Sequence, residues 1–319
     1  MRDEFVRVLT DIARHDSSVM LLTGDLGFGV LTQFASEFPR QYVNAGVAEQ
    51  NMTSLAVGLA LEGKTVFTYS IANFPTLRCL EQIRNGACYH QANVKIVAVG
   101  GGFAYGALGI SHHATEDLAV MRALPNMTVV APGDPIEVSA ATRAVYRNPG
   151  TCYLRLGRGG EPLVHGGPID FTLGRGIKLL GGADTVYLAT GGILAKTYQA
   201  CKALHARGRN VALYSMPTVK PLDRELVEEL GSQFRQIVTV EEHSITGGFG
   251  GAVAEVLAQM DGPRAALRVL GLRAGFSSIV GDQEYLRNAY GLSQQEIERA
   301  EGGAERWVSS ASLGRVSNG

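Results

Sequence analysis

Tyr42-Val43-Asn44-Ala45-Gly46-Val47-Ala48-Glu49-Gln50-Asn51-Met52 leads without a break into Thr53-Ser54-Leu55-Ala56-Val57-Gly58-Leu59-Ala60-Leu61. The first three residues have a short apolar strand pattern. From Met52 onward the residues are small or apolar with almost no polar face, the pattern of a helix buried on most sides. A strand that delivers a glycine turn and then a buried helix is the unit of layered α/β proteins. Glu49 opens that helix. A carboxylate so placed is buried or half-buried, and there it must be paired, hydrogen-bonded or neutralised. One reading is a helix-start acid favoured by the macrodipole. The other is an acid kept for chemistry.

The same alternation extends outward. Phe5 to Arg14 carries Phe5, Val8, Leu9 and Ile12 on one helical face, and Val19 to Leu22 is a buried strand that ends in the turn Thr23-Gly24-Asp25-Leu26-Gly27. Thr65 to Tyr69, Val94 to Val99, Met127 to Ala131 and Cys152 to Leu156 read as further strands, with a helix over Thr76 to Tyr89. Within the last strand, Arg155 should face away from Leu154 and Leu156. Asp134 and Pro135 supply the cap and first position of another helix. From about Gly159 to Gly176 turn formers interrupt the pattern. We place a first domain at residues 1–160, a linker at 161–178 and a smaller second domain at 179–319. The second domain restarts with strands at Thr185–Ala189, Val211–Ser215, Gln236–Glu241 and Ala266–Leu270, and with helices at about 194–206, 223–230 and 248–260. Two doubly wound α/β domains are expected, the larger with a mostly parallel sheet. The Ser/Gly-rich tail after about Ala304 is expected to fray.

Composition narrows the function classes. The 319 residues are 45% hydrophobic with 40 glycines, which suits tight strand-helix turns, and the net charge of −1 gives no support for nucleic acid or an anionic membrane as partner. Cys79, Cys88, Cys152 and Cys201 have no metal-ligand spacing and read as buried reduced thiols. No apolar run approaches the roughly 20 residues of a membrane span, and Met1-Arg2-Asp3-Glu4-Phe5 has no signal-peptide pattern. A cytoplasmic protein is expected.

Four stretches, in this order and at these distances, carry a family resemblance: Leu22-Thr23-Gly24-Asp25-Leu26, Gly46 to Met52, Gly109-Ile110-Ser111-His112-His113-Ala114-Thr115-Glu116-Asp117, and Val238 to Gly250 with Glu241-Glu242-His243-Ser244 and Gly247-Gly248-Phe249-Gly250. Together they resemble the transketolase group of thiamine diphosphate enzymes over nearly the whole chain. The resemblance implies a pyrimidine-binding domain followed by the transketolase carboxyl-terminal domain. It makes Glu49 the acid that hydrogen-bonds the cofactor's aminopyrimidine and favours its imino tautomer as internal base. It places His112 beside the thiazolium and the substrate oxygen as a proton-transfer group, with His113 next to it on the substrate side. Asp25 lies either at the cofactor or in a plain turn. Phe74 is the expected ring against the aminopyrimidine, with Tyr69 or Phe67 as alternatives. Arg2 and Arg158 fall where sugar-phosphate enzymes hold arginines for the substrate phosphate. Gly100 and Leu108 replace the His and Asp of that pattern, so the sugar is expected to differ from the pentose phosphates. His243 is a remote candidate for the mouth of the site.

Single-chain members of the family carry an upstream domain with a Gly-Asp-Gly motif that holds Mg²⁺ and the diphosphate. No Gly-Asp-Gly occurs here. The expectation is a split transketolase: this chain as its beta subunit, a partner chain with the metal site, an alpha2beta2 assembly, and transfer of a two-carbon ketol unit from a ketose to an aldehyde. Alternatives are the beta subunit of a 2-oxo acid dehydrogenase, a deoxyxylulose phosphate synthase-like enzyme, and a scaffold without activity. The Ser111-His112-His113 loop favours the ketol transferase.

Overall fold

The computed structural model describes residues 1–273 and 275–302; the Ser/Gly-rich tail lies outside them. In chain order the strands of the first half are β1 (Val19–Thr23), β2 (Tyr42–Asn44), β3 (Thr65–Ile71), β4 (Val94–Val99), β5 (Met127–Val130) and β6 (Thr151–Leu156). Those of the second half are β7 (Ile177–Leu180), β8 (Thr185–Thr190), β9 (Val211–Ser215), β10 (Thr218–Lys220), β11 (Gln236–Ser244) and β12 (Ala266–Leu272). The larger sheet has the order β10-β5-β6-β4-β3-β1-β2, and the smaller has β12-β11-β8-β9-β7. Each is parallel apart from one edge strand: β10 runs antiparallel to β5, and β7 antiparallel to β9. The architecture is two α/β layers with mostly parallel sheets.

Helices cover both faces of the larger sheet, as uninterrupted apolar strands require. They are α1 (Arg2–His15), α2 (Thr32–Glu37), α3 (Glu49–Leu61), α4 (Asp117–Ala123) and α5 (Pro135–Arg147). Successive residues of a strand point to opposite faces. Met20 and Leu22 accordingly pack with Met52, Ala56 and Val57 of α3, while Val19 and Leu21 pack with Phe5, Val8 and Leu9 of α1 and with Val138 and Val145 of α5. The Asp134 carboxylate accepts the Glu137 N–H and Pro135 opens α5, as the sequence predicts. The second half adds α6 (Leu194–Ala206), α7 (Arg224–Gln233), α8 (Phe249–Leu257), α9 (Gln283–Ala289) and α10 (Gln294–Arg299).

The expected helix over Thr76 to Tyr89 is not a regular α-helix. A 3₁₀ turn at Leu77–Cys79 is followed by a π-helix at Gln82–Cys88. The π segment lies hard against α3, where a Cβ on Gly86 would stand 3.1 Å from Val57 Cγ2. Single π turns within helices are frequent at functional sites.

Strand order decides where a ligand can sit. β1 has β2 on one side and β3 on the other, so the winding direction reverses between β1 and β3. In open parallel sheets ligands bind outside the carboxyl ends of the strands at such a reversal. Gly24, Gly46, Asn73, Gly100 and Gly157 all follow carboxyl ends at this edge.

Candidate active site

Glu49 is the first residue of α3 and only 3% exposed. Its Oε2 accepts a hydrogen bond from Arg78 Nη1 at 2.7 Å. The Arg78 guanidinium lies over the Phe74 ring, 4.6 Å from its centroid. Phe74 in turn meets the imidazole of His112 edge-on, with centroids 5.2 Å apart and planes at 71°. The loops after β2, β3 and β4 therefore converge on one chain of contacts, Glu49–Arg78–Phe74–His112. Asn73 ties two of those loops together by donating to the carbonyls of Ser111 (3.2 Å) and His113 (2.8 Å). Gly24 permits the close approach of β1: a Cβ there would stand 3.3 Å from Glu49 Cγ.

His112 is half-buried and shares a 3.0 Å contact with Ser111 Oγ through Nδ1. Burial, followed by repulsion from the neighbouring His113, holds its pKa below the ordinary imidazole value. At neutral pH it is an uncharged ring able to accept a proton.

Two expected site residues, with one alternative, are placed in the packed interior, and Asp25 takes the turn of its two readings. His113 is buried, with Nε2 bonded to the Gly106 carbonyl at 2.9 Å and Nδ1 to Ser277 Oγ at 2.8 Å. Nδ1 also lies 3.2 Å from the Ser277 carbonyl. Both nitrogens are thus used within the chain, and His113 supports the loop rather than facing a substrate. Tyr69 and the alternative Phe67 belong to the core, where the Phe5 ring packs against each at centroid distances of 6.3 and 6.0 Å. As strand residues they point into the sheet's packed face, and Phe74 alone of the three reaches the Glu49 cluster. Asp25 has φ +58°, the left-handed conformation of a turn, and its carboxylate accepts from Asn44 Nδ2 at 2.8 Å. Asn44 Oδ1 accepts from the Asp25 and Gly46 N–H groups. Asp25 therefore braces the turn that leads to Glu49.

Tyr105, which no sequence signal singles out, joins the remaining candidates. Its ring lies 6.3 Å from that of His112, and the Arg158 guanidinium sits 5.4 Å from its centroid. Arg2, hydrogen-bonded to Asp3, is within electrostatic reach of the same phenol. Gly100 makes room for it, since a Cβ there would fall 2.2 Å from Tyr105 Cδ2 and φ is +96°. The small residue at position 100 is thus the counterpart of a large one at 105. A cavity of about 730 Å³ shares Tyr105 and Arg158 with this mouth and continues along Arg155, Glu161, Lys196 and Arg287.

A transketolase pyrimidine-binding domain model matches residues 1–161, and a transketolase C-terminal domain model matches 174–297. This chain belongs to the transketolase family. Among curated relatives it is 36% identical over 298 residues to one of the subunits of an apulose-4-phosphate transketolase from Phocaeicola vulgatus, covering 93% of this chain and 94% of that one. It is 34% identical over 301 residues to a 6-deoxy-6-sulfo-D-fructose transketolase subunit of a Clostridium species, covering 94% and 92%. Among solved structures, a split-gene transketolase described as an inactive beta4 tetramer superposes with a TM-score of 0.83 at 37% identity, covering 94% and 95% of the two chains.

In this transketolase-family chain the seam between the sheets carries the motif around His243. Glu241 accepts the N–H groups of Phe249 and Gly250 at the start of α8, and burial raises its pKa. Glu242 accepts from Phe103 N–H and Gln283, and bonds Arg287. His243 is fully buried; Nε2 accepts the Ala119 N–H at 3.3 Å and Nδ1 faces the Ser244 carbonyl at 2.7 Å. It lies inside the seam and not at the mouth. Beside it Arg155, turned away from its neighbours as strand alternation requires, pairs with buried Asp117 at 2.7 Å and donates to the Glu242 carbonyl. Burial opposes ionisation of Asp117, but the Arg155 charge together with His243 and the hydrogen bonds from Arg155 and Tyr153 holds the carboxyl below its ordinary pKa. These bonds fix α4, and with it the loop that presents His112.

The family depends on thiamine diphosphate, and the residues here fit its pyrimidine half. Glu49 is a buried carboxylate with one oxygen taken by Arg78 and the other uncommitted, beside an aromatic face at Phe74. The metal half is different: among the described residues no group of three or more His, Cys, Asp or Glu is arranged to hold a cation. No helix among them is long and apolar enough to cross a membrane.

Proposed function

We propose that this chain is the beta subunit of a two-component, thiamine diphosphate-dependent transketolase that moves a two-carbon ketol unit from a ketose donor to an aldehyde acceptor. The contact chain Glu49–Arg78–Phe74–His112, set at the sheet's reversal point, carries the reading. When bound, thiamine diphosphate supplies the carbon that accepts the ketol unit. Glu49 holds a ring nitrogen of the pyrimidine, and Phe74 bounds that ring's face. The neutral His112 moves a proton at the substrate carbonyl or hydroxyl oxygen.

Arg158 and Arg2 flank Tyr105 at the mouth, where they suit a phosphate or sulfonate on the sugar. The relatives named for apulose 4-phosphate and sulfofructose are consistent with such an anionic sugar. Mg²⁺ and the diphosphate belong on a partner chain with the Gly-Asp-Gly motif, in an alpha2beta2 assembly with paired sites and a cytoplasmic location. We keep a first domain at 1–160, a linker at 161–178 and a second domain at 179–319 as a proposal, with β7 beginning inside the linker and β10 crossing back to the larger sheet.

The test is to assay the purified chain with thiamine diphosphate, Mg²⁺ and a ketose donor, with and without an added Gly-Asp-Gly chain. Transfer is expected only in the mixture. Turnover by the chain alone would refute the split arrangement.

A further inference from the structure

Glu49 has two carboxylate oxygens and a site that leaves them unequal. Oε2 is taken by Arg78 Nη1 at 2.7 Å, while Oε1 lies beside Gly24, which has no side chain to offer it. Arg78 is itself held from the other side by the Phe74 ring, 4.6 Å away. A planar guanidinium fixed between a carboxylate and an aromatic face has little freedom to rotate, and its charge is directed at one oxygen. The Arg78 side chain is 47% exposed and Glu49 3%, so the cation reaches in from solvent to a carboxylate that is otherwise enclosed. Phe74 and Arg78 are four residues apart, separated by the start of the irregular helix that ends in the π segment.

From this arrangement we propose that Arg78 is a positioning residue for the cofactor acid: it holds Oε2 of Glu49 and so directs Oε1 to the pyrimidine. The inference rests on the reading of Glu49 as the pyrimidine ligand and adds a residue to it. A carboxylate without a fixed partner rotates between equivalent orientations. Arg78 removes that freedom. The carboxylate that meets the cofactor is then already aimed, so less of the binding free energy goes into ordering it.

Two substitutions separate charge from geometry. Arg78→Met removes both, and Arg78→Lys keeps the charge without the flat, stacked fork. Each is combined with the Gly-Asp-Gly partner, and two quantities are measured: the Kd for thiamine diphosphate, and the rate of hydrogen-deuterium exchange at the thiazolium carbon. Arg78→Met should weaken cofactor binding about tenfold, the size of one charge-assisted hydrogen bond, and slow exchange by about as much. Methylguanidinium at millimolar concentration should restore part of both. Arg78→Lys should keep most of the cofactor affinity and slow exchange severalfold. A Met variant with the wild-type Kd and exchange rate, or with tighter cofactor binding, would overturn the proposal. If the Met variant does not assemble, the Lys variant decides, and exchange there at the wild-type rate would overturn it equally. Wild-type exchange in Glu49→Gln would instead remove the underlying reading, whatever Arg78 does.

Discussion

Glu49 and His112 sit at opposite ends of one contact chain, and their loss should be felt at different atoms. Glu49→Gln preserves size and removes charge from a buried site. Exchange at the thiazolium carbon and turnover should both fall by about a hundredfold or more, the scale of a general acid-base contribution. His112→Ala leaves Glu49 and Arg78 in place; exchange should stay near wild type while turnover drops. Measuring both in the reconstituted complex separates the two roles, and equal losses in both variants would contradict them. At this scale legibility is uneven. Glu49 and His112 are carried by local strings with fixed neighbours, so the sequence points to them directly. Arg78 escapes a reading of the sequence because its partner is 29 positions away and the 3₁₀ turn that carries it is announced by no helical periodicity. The Phe74 to Arg78 spacing of four is the available signal. Tyr69 and His113 mislead for the converse reason: each is next to site residues in sequence, but the pleat of β3 and the bend of the His112 loop turn them into the core.

Elements are more legible than contacts. Strands with unbroken apolar runs and the Asp134-Pro135 start of α5 can be read from spacing, because burial on both faces and capping are local demands. The Thr76 to Tyr89 segment cannot, since a π turn has no sequence period of its own and arises from packing against α3. The strap that follows β6 reads as turns alone in the sequence, yet it is pinned to α5. His165 Nε2 meets Glu137 Oε1 at 2.8 Å, while the Val164 and His165 N–H groups donate to Asp134. Burial by itself would depress His165, but the Glu137 carboxylate outweighs it and the imidazole pKa is raised. A raised folded-state value means that the stabilisation is complete below the unfolded value of about 6.5 and is lost as pH rises through the folded one. Thermal unfolding of the chain should therefore shift to lower temperature as pH climbs above about 6.5. His165→Gln should flatten that dependence, and an unchanged slope in the variant would show that the strap does not contribute.

On the scale of the molecule, the two sheets are joined by buried charge. Arg155 and Asp117 form a pair 4% and 0% exposed, with Tyr153 hydroxyl donating to the same carboxylate, and Arg155 so held reaches the second sheet by donating to the Glu242 carbonyl. Removing one partner strands the other, at a cost of about 3–5 kcal/mol. Arg155→Met should lower the urea-unfolding free energy by about that amount and slow transfer as well, because Asp117 anchors the helix behind the His112 loop. A loss below about 1 kcal/mol, the scale of a surface pair, would show that the pair is not what holds the seam. The division into two α/β layers is plain in the sequence; the crossing of β10 is not. Three residues cannot show a strand period, and the partner strand β5 lies far earlier in the chain. That crossing sets a limit on modularity. A protease that cuts the exposed glycines at 159 and 160 would sever the chain between its two sheets, yet Thr218 would still lie against Val130 and Lys220 against Val129. The pieces should stay together as a nicked whole. A fragment ending near residue 161 would instead bare the edge of β5, and an unpaired edge recruits other chains. What could be inherited or transplanted as a unit is thus the first domain together with residues up to Lys220, and a cut by sequence domain alone would yield an aggregate.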